Sequence, residues 1–328
     1  MTTRRNLLLA LGAALLASPF AGRAQQKAKV PHIGYMSTGS LKTNEVFLAA
    51  FKDGLRELGY VDGKNIAIDA RWAGNMANDF PEIADSLVKN QPSAIVTTCI
   101  PSTRAAKQAT RTIPIVMSVD GDPITAGLIS SYARPGANVT GTSTLFEALI
   151  PKWLELLTVA VPKVRHFAVL TNPDDLVDSF YWAQFQEAAK LLDVKVAQFE
   201  ARVPGDIDPA FAQMRKHGSG AVVVMTEVFL AGQMHRIVPL VDRYKLPAID
   251  GFHEFAEAGG LMSYGLSYRD YYKRVARYLD AVLKGTKPAD LAVEQPTRIE
   301  LVINLATARK LGVNIPQQLL VRADRVIE

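Results

Sequence analysis

One cysteine, Cys99, stands in 328 residues, so neither an internal disulfide framework nor a multi-cysteine metal site can be built from this chain. Histidine is also scarce, with five in the chain: His32, His166, His217 and His235 are scattered, and each reads as a surface or capping residue. His253 and Glu254 begin like a metalloprotease helix, but Glu257 occupies the place of the second imidazole. No G-x-G-x-x-G and no G-x-S-x-G nucleophile elbow occurs, and "GYVDGKN" at 59–65 lacks the spacing and closing hydroxyl of a phosphate loop. "DGD" at 120–122 offers carboxylates to a divalent cation, yet Pro123 directly after it suits the first position of a helix. Covalent and metal chemistry have no visible equipment. The chain reads as a non-enzyme without cofactor or metal.

Long apolar runs are missing too, except at the N-terminus. There Arg4 and Arg5 precede an uncharged stretch from Leu7 to Gly22, followed by "GRAQQ" with small residues at Gly22 and Ala24. This is the order of an export signal, too short and wrongly flanked for a stable membrane span, and cleavage is expected after Ala24. "TRRNLL" also approaches a twin-arginine signal, so the general secretory (Sec) and twin-arginine (Tat) routes both stay open. Without a cysteine near the cut, lipid anchoring at that site is excluded. Removal of residues 1–24 takes Arg4, Arg5 and Arg23 from the 37 basic residues and nothing from the 32 acidic ones, lowering the formal charge from +5 to +2. The sequence pI of 9.2 is therefore no nucleic-acid signature, since no basic stripe with interleaved aromatics remains.

What is present is alternation. Short runs rich in Val and Ile are separated by longer stretches of helical period, the pattern of βα units around parallel sheets. The first series of strands is expected at His32 to Met36, Asn65 to Trp72, Ala94 to Thr98, Pro114 to Val119 and Asn138 to Gly141. The second is expected at His166 to Thr171, Val194 to Phe199, Ala221 to Thr226, Pro247 to Asp250 and Leu261 to Tyr264. Phe47, Phe51, Leu55 and Leu58, like Tyr181, Phe185, Ala188 and Leu192, recur at the spacing of a helix core face. Each series makes its own open sheet, with the junction near Thr142 to Ala148. The expected fold is therefore α/β, two Rossmann-like lobes with parallel sheets joined by a hinge, and a cleft between them.

In such sheets ligands bind beyond the carboxyl ends of the strands. Those ends carry "MSTGS", "TTCIPST" and "VDGDP" in the first series, and "TNPDD", "TEVF", "DGF" and "SYG" in the second. Ser37 and Thr38, with Ser102 and Thr103 at the helix start after Pro101, can present hydroxyls and free N–H groups to an anion. Serine, threonine and asparagine are equally the preferred helix caps, so each position alone also reads as structure.

Four long segments resemble one family: "FKDGLRELGYVDGKNI" at 51–66, "IPIVMSVDGDPITAGLISSYARPGANVTG" at 113–141, "FAEAGGLMSYG" at 255–265 and "KGTKPADLAVEQPTRIELVINLATARKLG" at 284–312. On these the chain resembles the substrate-binding proteins of ABC transporters that include tryptophan- and tyrosine-binding members, with a fold similar to type I periplasmic binding proteins. The resemblance implies a periplasmic protein, not membrane-embedded and monomeric, that closes on a small ligand and presents it to an ABC permease. It implies ligand contacts at Ser37, Thr38, Thr98, Pro101, Ser102 and Asp120 in the first lobe, and at Asn172, Asp250, Phe252 and Tyr264 in the second. "TCIPST", "TNPDD" and "TEVFLAGQ" around Glu227 depart from the family pattern, which leaves the ligand open.

An amino acid or related small carboxylate suits this collection. Hydroxyls and N–H groups take the carboxylate, Asp120, Glu227 or Asp250 takes an ammonium, and Tyr264, Phe252 or Tyr181 covers an apolar side chain. Asp120 and Asp250 read equally as turn caps, and Tyr264 as hinge packing. Glycines flanking the strand in "GGLMSYG" place the hinge at Gly265. The helix whose face carries Tyr272, Val275, Leu279 and Val282 suggests a return to the first lobe, so three crossings are expected. The first lobe then comprises 27–143 plus about 268–290, and the second 144–267 plus about 291–328, the last segment's placement being open. A sensor reporting to a membrane receptor and an exported α/β enzyme are the alternatives.

Overall fold

The computed structural model describes residues 30–74, 77–144, 146–174, 178–296 and 298–328; the expected export signal lies outside them. Pro31–Glu328 forms one compact unit. In it β1 (His32–Ser37), β2 (Ala67–Trp72), β3 (Ala94–Thr97), β4 (Ile115–Asp120) and β5 (Val139–Thr144) make a sheet in the order β2-β1-β3-β4-β5, parallel throughout. β3 and β4 are covered on both faces, which is why they read as mostly apolar runs and not as alternation. The connecting helices are α1 (Leu41–Glu57), α2 (Phe80–Lys89) and α3 (Ile100–Ala109).

The second lobe repeats the plan. α4 (Ile150–Ala160) leads to β6 (His166–Thr171), α5 (Asp178–Leu191), β7 (Lys195–Glu200), α6 (Ile207–His217) and β8 (Ala221–Val224). Then come α7 (Val228–Gly232), α8 (Met234–Tyr244), β9 (Ala248–Phe252), α9 (His253–Glu257) and β10 (Met262–Leu266). α2, α3 and α4 each carry proline in the first turn, where its missing N–H has no partner to lose.

Beyond β10, α10 (Tyr268–Leu283) goes back to pack on α1 and the first sheet. Its buried Tyr272, Val275 and Leu279 share a core with Phe47, Phe51 and Leu55, each such side chain contributing roughly 1.5–3 kcal/mol by leaving water. The helices meet closely at Gly54, where a Cβ would stand 2.8 Å from the Lys273 Cα. β11 (Glu300–Asn304), α11 (Leu305–Leu311), α12 (Gln317–Arg322) and β12 (Arg325–Ile327) end the chain. The second sheet runs β12-β11-β10-β9-β8-β6-β7, with β10 and β11 its antiparallel pair.

The polypeptide passes between the sheets after β5 through a short 3-10 turn, Phe146–Leu149, again between β10 and α10, and a third time before β11. The segment left open by the sequence divides. Val293 and Glu294 hydrogen-bond to Tyr132, Gly141 and Ser143 of the first lobe, whereas β11 and β12 extend the second sheet.

Candidate ligand-binding site

The carboxyl ends of the two sheets share a cavity of about 170 Å³. Of the residues expected to touch a ligand, Thr38, Thr98, Pro101 and Asp120 line it from the first lobe and Asn172, Glu227 and Phe252 from the second. The remaining five are not on its wall, for identifiable reasons.

Ser37 is fully buried at the end of β1, donating to Asn44 Oδ1 at 2.8 Å and accepting from Thr98 Oγ1 at 2.8 Å, so its hydroxyl fixes Thr98 and the start of α1. Ser102 caps α3, its Oγ accepting from the Cys99 N–H at 3.2 Å and donating to the Cys99 carbonyl at 2.9 Å. Tyr181 donates its hydroxyl to Asp120 Oδ2. Asp250, wholly buried, caps the turn into α9: Oδ1 accepts from the Phe252 N–H at 2.6 Å and from Thr226 Oγ1 at 3.4 Å. Tyr264 sits in β10 with its carbonyl accepting from Trp153 Nε1 at 2.7 Å. A bulge between Ser263 and Leu266 breaks the strand's alternation, and Leu266 lines the cavity instead.

Gly265, expected as the hinge, is also held in β10. It pairs with Glu300, its carbonyl lies 2.9 Å from His253 Nε2, and a Cβ would come within 2.0 Å of the Gly251 carbonyl oxygen. Close approach of two strands is what demands glycine there. The zincin-like His253 and Glu254 are structural as well, Glu254 accepting from Ser267 Oγ at 2.7 Å beside the start of α10. Asp122 of the "DGD" run closes a turn, accepting from the Ile124 and Thr125 N–H groups at 3.0 and 3.2 Å.

Sequence reasoning missed most of the aromatic wall. Phe47, Phe146, Phe229, Tyr271 and Tyr272 join Phe252 around the cavity. The rings form a connected set across the two lobes, with Phe47 to Phe252 at 6.0 Å, Phe47 to Tyr272 at 5.4 Å and Phe146 edge-on to Phe252 at 5.6 Å. The hydroxyls of Thr144 and Thr226 were likewise missed.

Among the described residues the lining carries three carboxylates and no Lys, Arg or His. Glu227 is engaged by its own helix, accepting from the Phe229 and Leu230 N–H groups at 2.7 and 2.5 Å as the N-cap of α7. Asp174 pairs with Arg202 at 2.9 Å, and its N–H donates to Asn172 Oδ1 at 3.1 Å. Asp120 differs from both. Its carboxyl is pushed above the usual range by burial, against which hydrogen bonds from the Tyr181 hydroxyl, the Phe146 N–H and the Thr144 hydroxyl favour the ionised form. Such a carboxylate, half-buried and with no cation paired to it among the described residues, attracts an ammonium, and the rings around it suit an apolar or aromatic body.

Two parallel-sheet lobes with a ligand-sized cavity at their facing edges define the type I periplasmic binding protein fold. Within that class the chain belongs to the ABC transporter substrate-binding protein family, whose model matches residues 43–327. A tyrosine-binding protein of Clostridioides difficile is 28% identical over 264 residues, 80% of this chain and 75% of that one. Among solved structures, a conserved domain protein from Vibrio cholerae superposes with a TM-score of 0.74 at 26% identity, covering 91% of this chain and 100% of that one. An ABC domain from Streptococcus pneumoniae in complex with L-Trp gives 0.73 at 26% identity, covering 90% and 99%.

Proposed function

We propose that the mature chain is an exported, periplasmic receptor for an aromatic amino acid, which it binds between its lobes and delivers to an ABC permease for import. The observation that carries this reading is the pairing, on one cavity wall, of a half-buried carboxylate at Asp120 with the connected rings of Phe47, Phe252 and Tyr272. In this reading Asp120 takes the ligand ammonium, Thr38 and Thr98 face its carboxylate, and the rings enclose its side chain. The tyrosine-binding relative and the L-Trp complex support the same ligand class. Residues 1–24 act as the export signal, and the receptor works as a monomer, with the first lobe spanning about 27–143 and 268–290.

Thermal-shift screening of purified mature protein against amino acids, purines, sugars and aromatic acids tests the assignment. L-Tyrosine or L-tryptophan at 100 times its dissociation constant is expected to stabilise the protein by about 2.7 kcal/mol. A response confined to sugars or purines overturns the reading.

A further inference from the structure

Asp120 is bound to three separate parts of the molecule. Thr144 Oγ1, in the neighbouring strand β5, donates to Oδ1 at 2.9 Å; the Phe146 N–H, in the first crossing between lobes, donates to the same oxygen at 3.2 Å; and the Tyr181 hydroxyl, on α5 of the second lobe, donates to Oδ2. One carboxylate on the cavity wall thus touches its own lobe, a crossing segment and the opposite lobe. We propose that the Tyr181–Asp120 hydrogen bond is a latch that holds the lobes together and makes their closure conditional on a positively charged ligand group, with Tyr181 as a positioning residue. The ligand half of this proposal rests on the amino-acid reading above.

The physical argument is one of desolvation. When the lobes part, water reaches Asp120; when they meet, the carboxylate loses that water. Three protein donors replace part of it, including a phenol whose bond to a carboxylate is charge-assisted. They do not replace all of it, as the upward push on the carboxyl records. A charged neighbour makes matters worse, because the half-buried Glu147 and Asp120 repel each other, and among the described residues the cavity lining supplies no cation. A ligand ammonium removes the remaining deficit, whereas a neutral or anionic ligand leaves it. Ligand charge therefore shifts the equilibrium between open and closed forms, and the phenol sets how far the closed form is populated before ligand arrives. Tyr181 itself is buried and off the cavity wall, so removing its hydroxyl leaves the ligand's own contacts in place.

The test compares mature wild-type protein with Tyr181→Phe, Asp120→Ala and the double variant. Stopped-flow binding of L-tyrosine and L-tryptophan is combined with small-angle scattering of the ligand-free proteins. Tyr181→Phe is expected to raise the dissociation rate about tenfold, with the association rate changed less than about twofold, and to enlarge the ligand-free radius of gyration. In the Asp120→Ala background the same change is expected to raise the dissociation rate much less, because the bond between these two groups is already gone. An equal effect of Tyr181→Phe in both backgrounds, or ligand-free wild type and Tyr181→Phe of the same dimensions, overturns the latch. If wild type binds neither amino acid, the function reading fails while the ligand-free scattering still decides the latch. Should Asp120→Ala not fold, the scattering of Tyr181→Phe against wild type decides it alone.

Discussion

Asp120 and Asp250 stand in corresponding places, at the carboxyl-end regions of β4 and β9, the first half-buried and the second wholly buried, and in both burial favours the neutral form. Their neighbours separate them. Asp120 lines the cavity and receives donors on both oxygens, whereas Asp250 lies behind Phe252, uses Oδ1 to cap a turn, and has no hydrogen-bond partner on Oδ2 among the described residues. Accordingly the Asp250 carboxyl is pushed up to about 7, with the Glu254 charge adding to the effect of burial. Position at a sheet edge brings a carboxylate near a ligand. Whether it works as a binding charge depends on the donors that keep it ionised and on what stands in front of it.

The comparison is broken most severely through the backbone beside Asp250. Gly265→Val forces a side chain into the Gly251 carbonyl, and a loss of more than about 4 kcal/mol is expected in urea unfolding. Asp250→Asn sharpens the contrast through pH. The folded carboxyl near 7 lies above an unfolded value of about 3.9, so between those values the folded state holds more protons than the unfolded one. Wild type is expected to lose stability as pH rises through that window, while Asp250→Asn lacks this group's share of the loss. The gap between them should widen by up to about 4 kcal/mol by pH 8, read from unfolding midpoints at pH 4 and 8, with ligand affinity kept within about twofold. A gap that stays constant with pH contradicts the assignment.

Asp120→Ala is expected to do the converse, weakening amino-acid binding by about 1.5–3 kcal/mol in calorimetric titration with the fold intact. The smallest effect is expected at Ser102. Loss of its cap in Ser102→Ala should cost about 1 kcal/mol of stability and leave affinity unchanged, which separates capping hydroxyls from those of the cavity wall.

The fold was readable because strands buried on both faces must be largely apolar, and "FAVL", "AVVV" and "IVMSV" runs admit few other readings. The site was readable only in part. Strand-end loops announced Thr38, Thr98, Asp120 and Glu227, but the same loops start helices, and the chemistry that binds an anion is the chemistry that caps a helix. Ser37 and Ser102 went to capping and bracing for that reason. Phe47 and Tyr272 hid inside regular helical stripes, because one face of α1 and of α10 serves both the core and the cavity. A bulge that alternation does not reveal keeps Tyr264 off the cavity wall, and nothing local in a sequence announces the bond from Tyr181 to a residue 61 positions away.

A single titration bears most directly on Asp120 as the ammonium acceptor: L-tryptophan against its des-amino analogue, indole-3-propionate, on wild type, Asp120→Ala and Asp250→Asn. The account predicts that wild type and Asp250→Asn prefer L-tryptophan by about tenfold or more, and that Asp120→Ala loses this preference. If Asp120→Ala still discriminates as wild type does, the ammonium is held elsewhere and the account of the site is wrong.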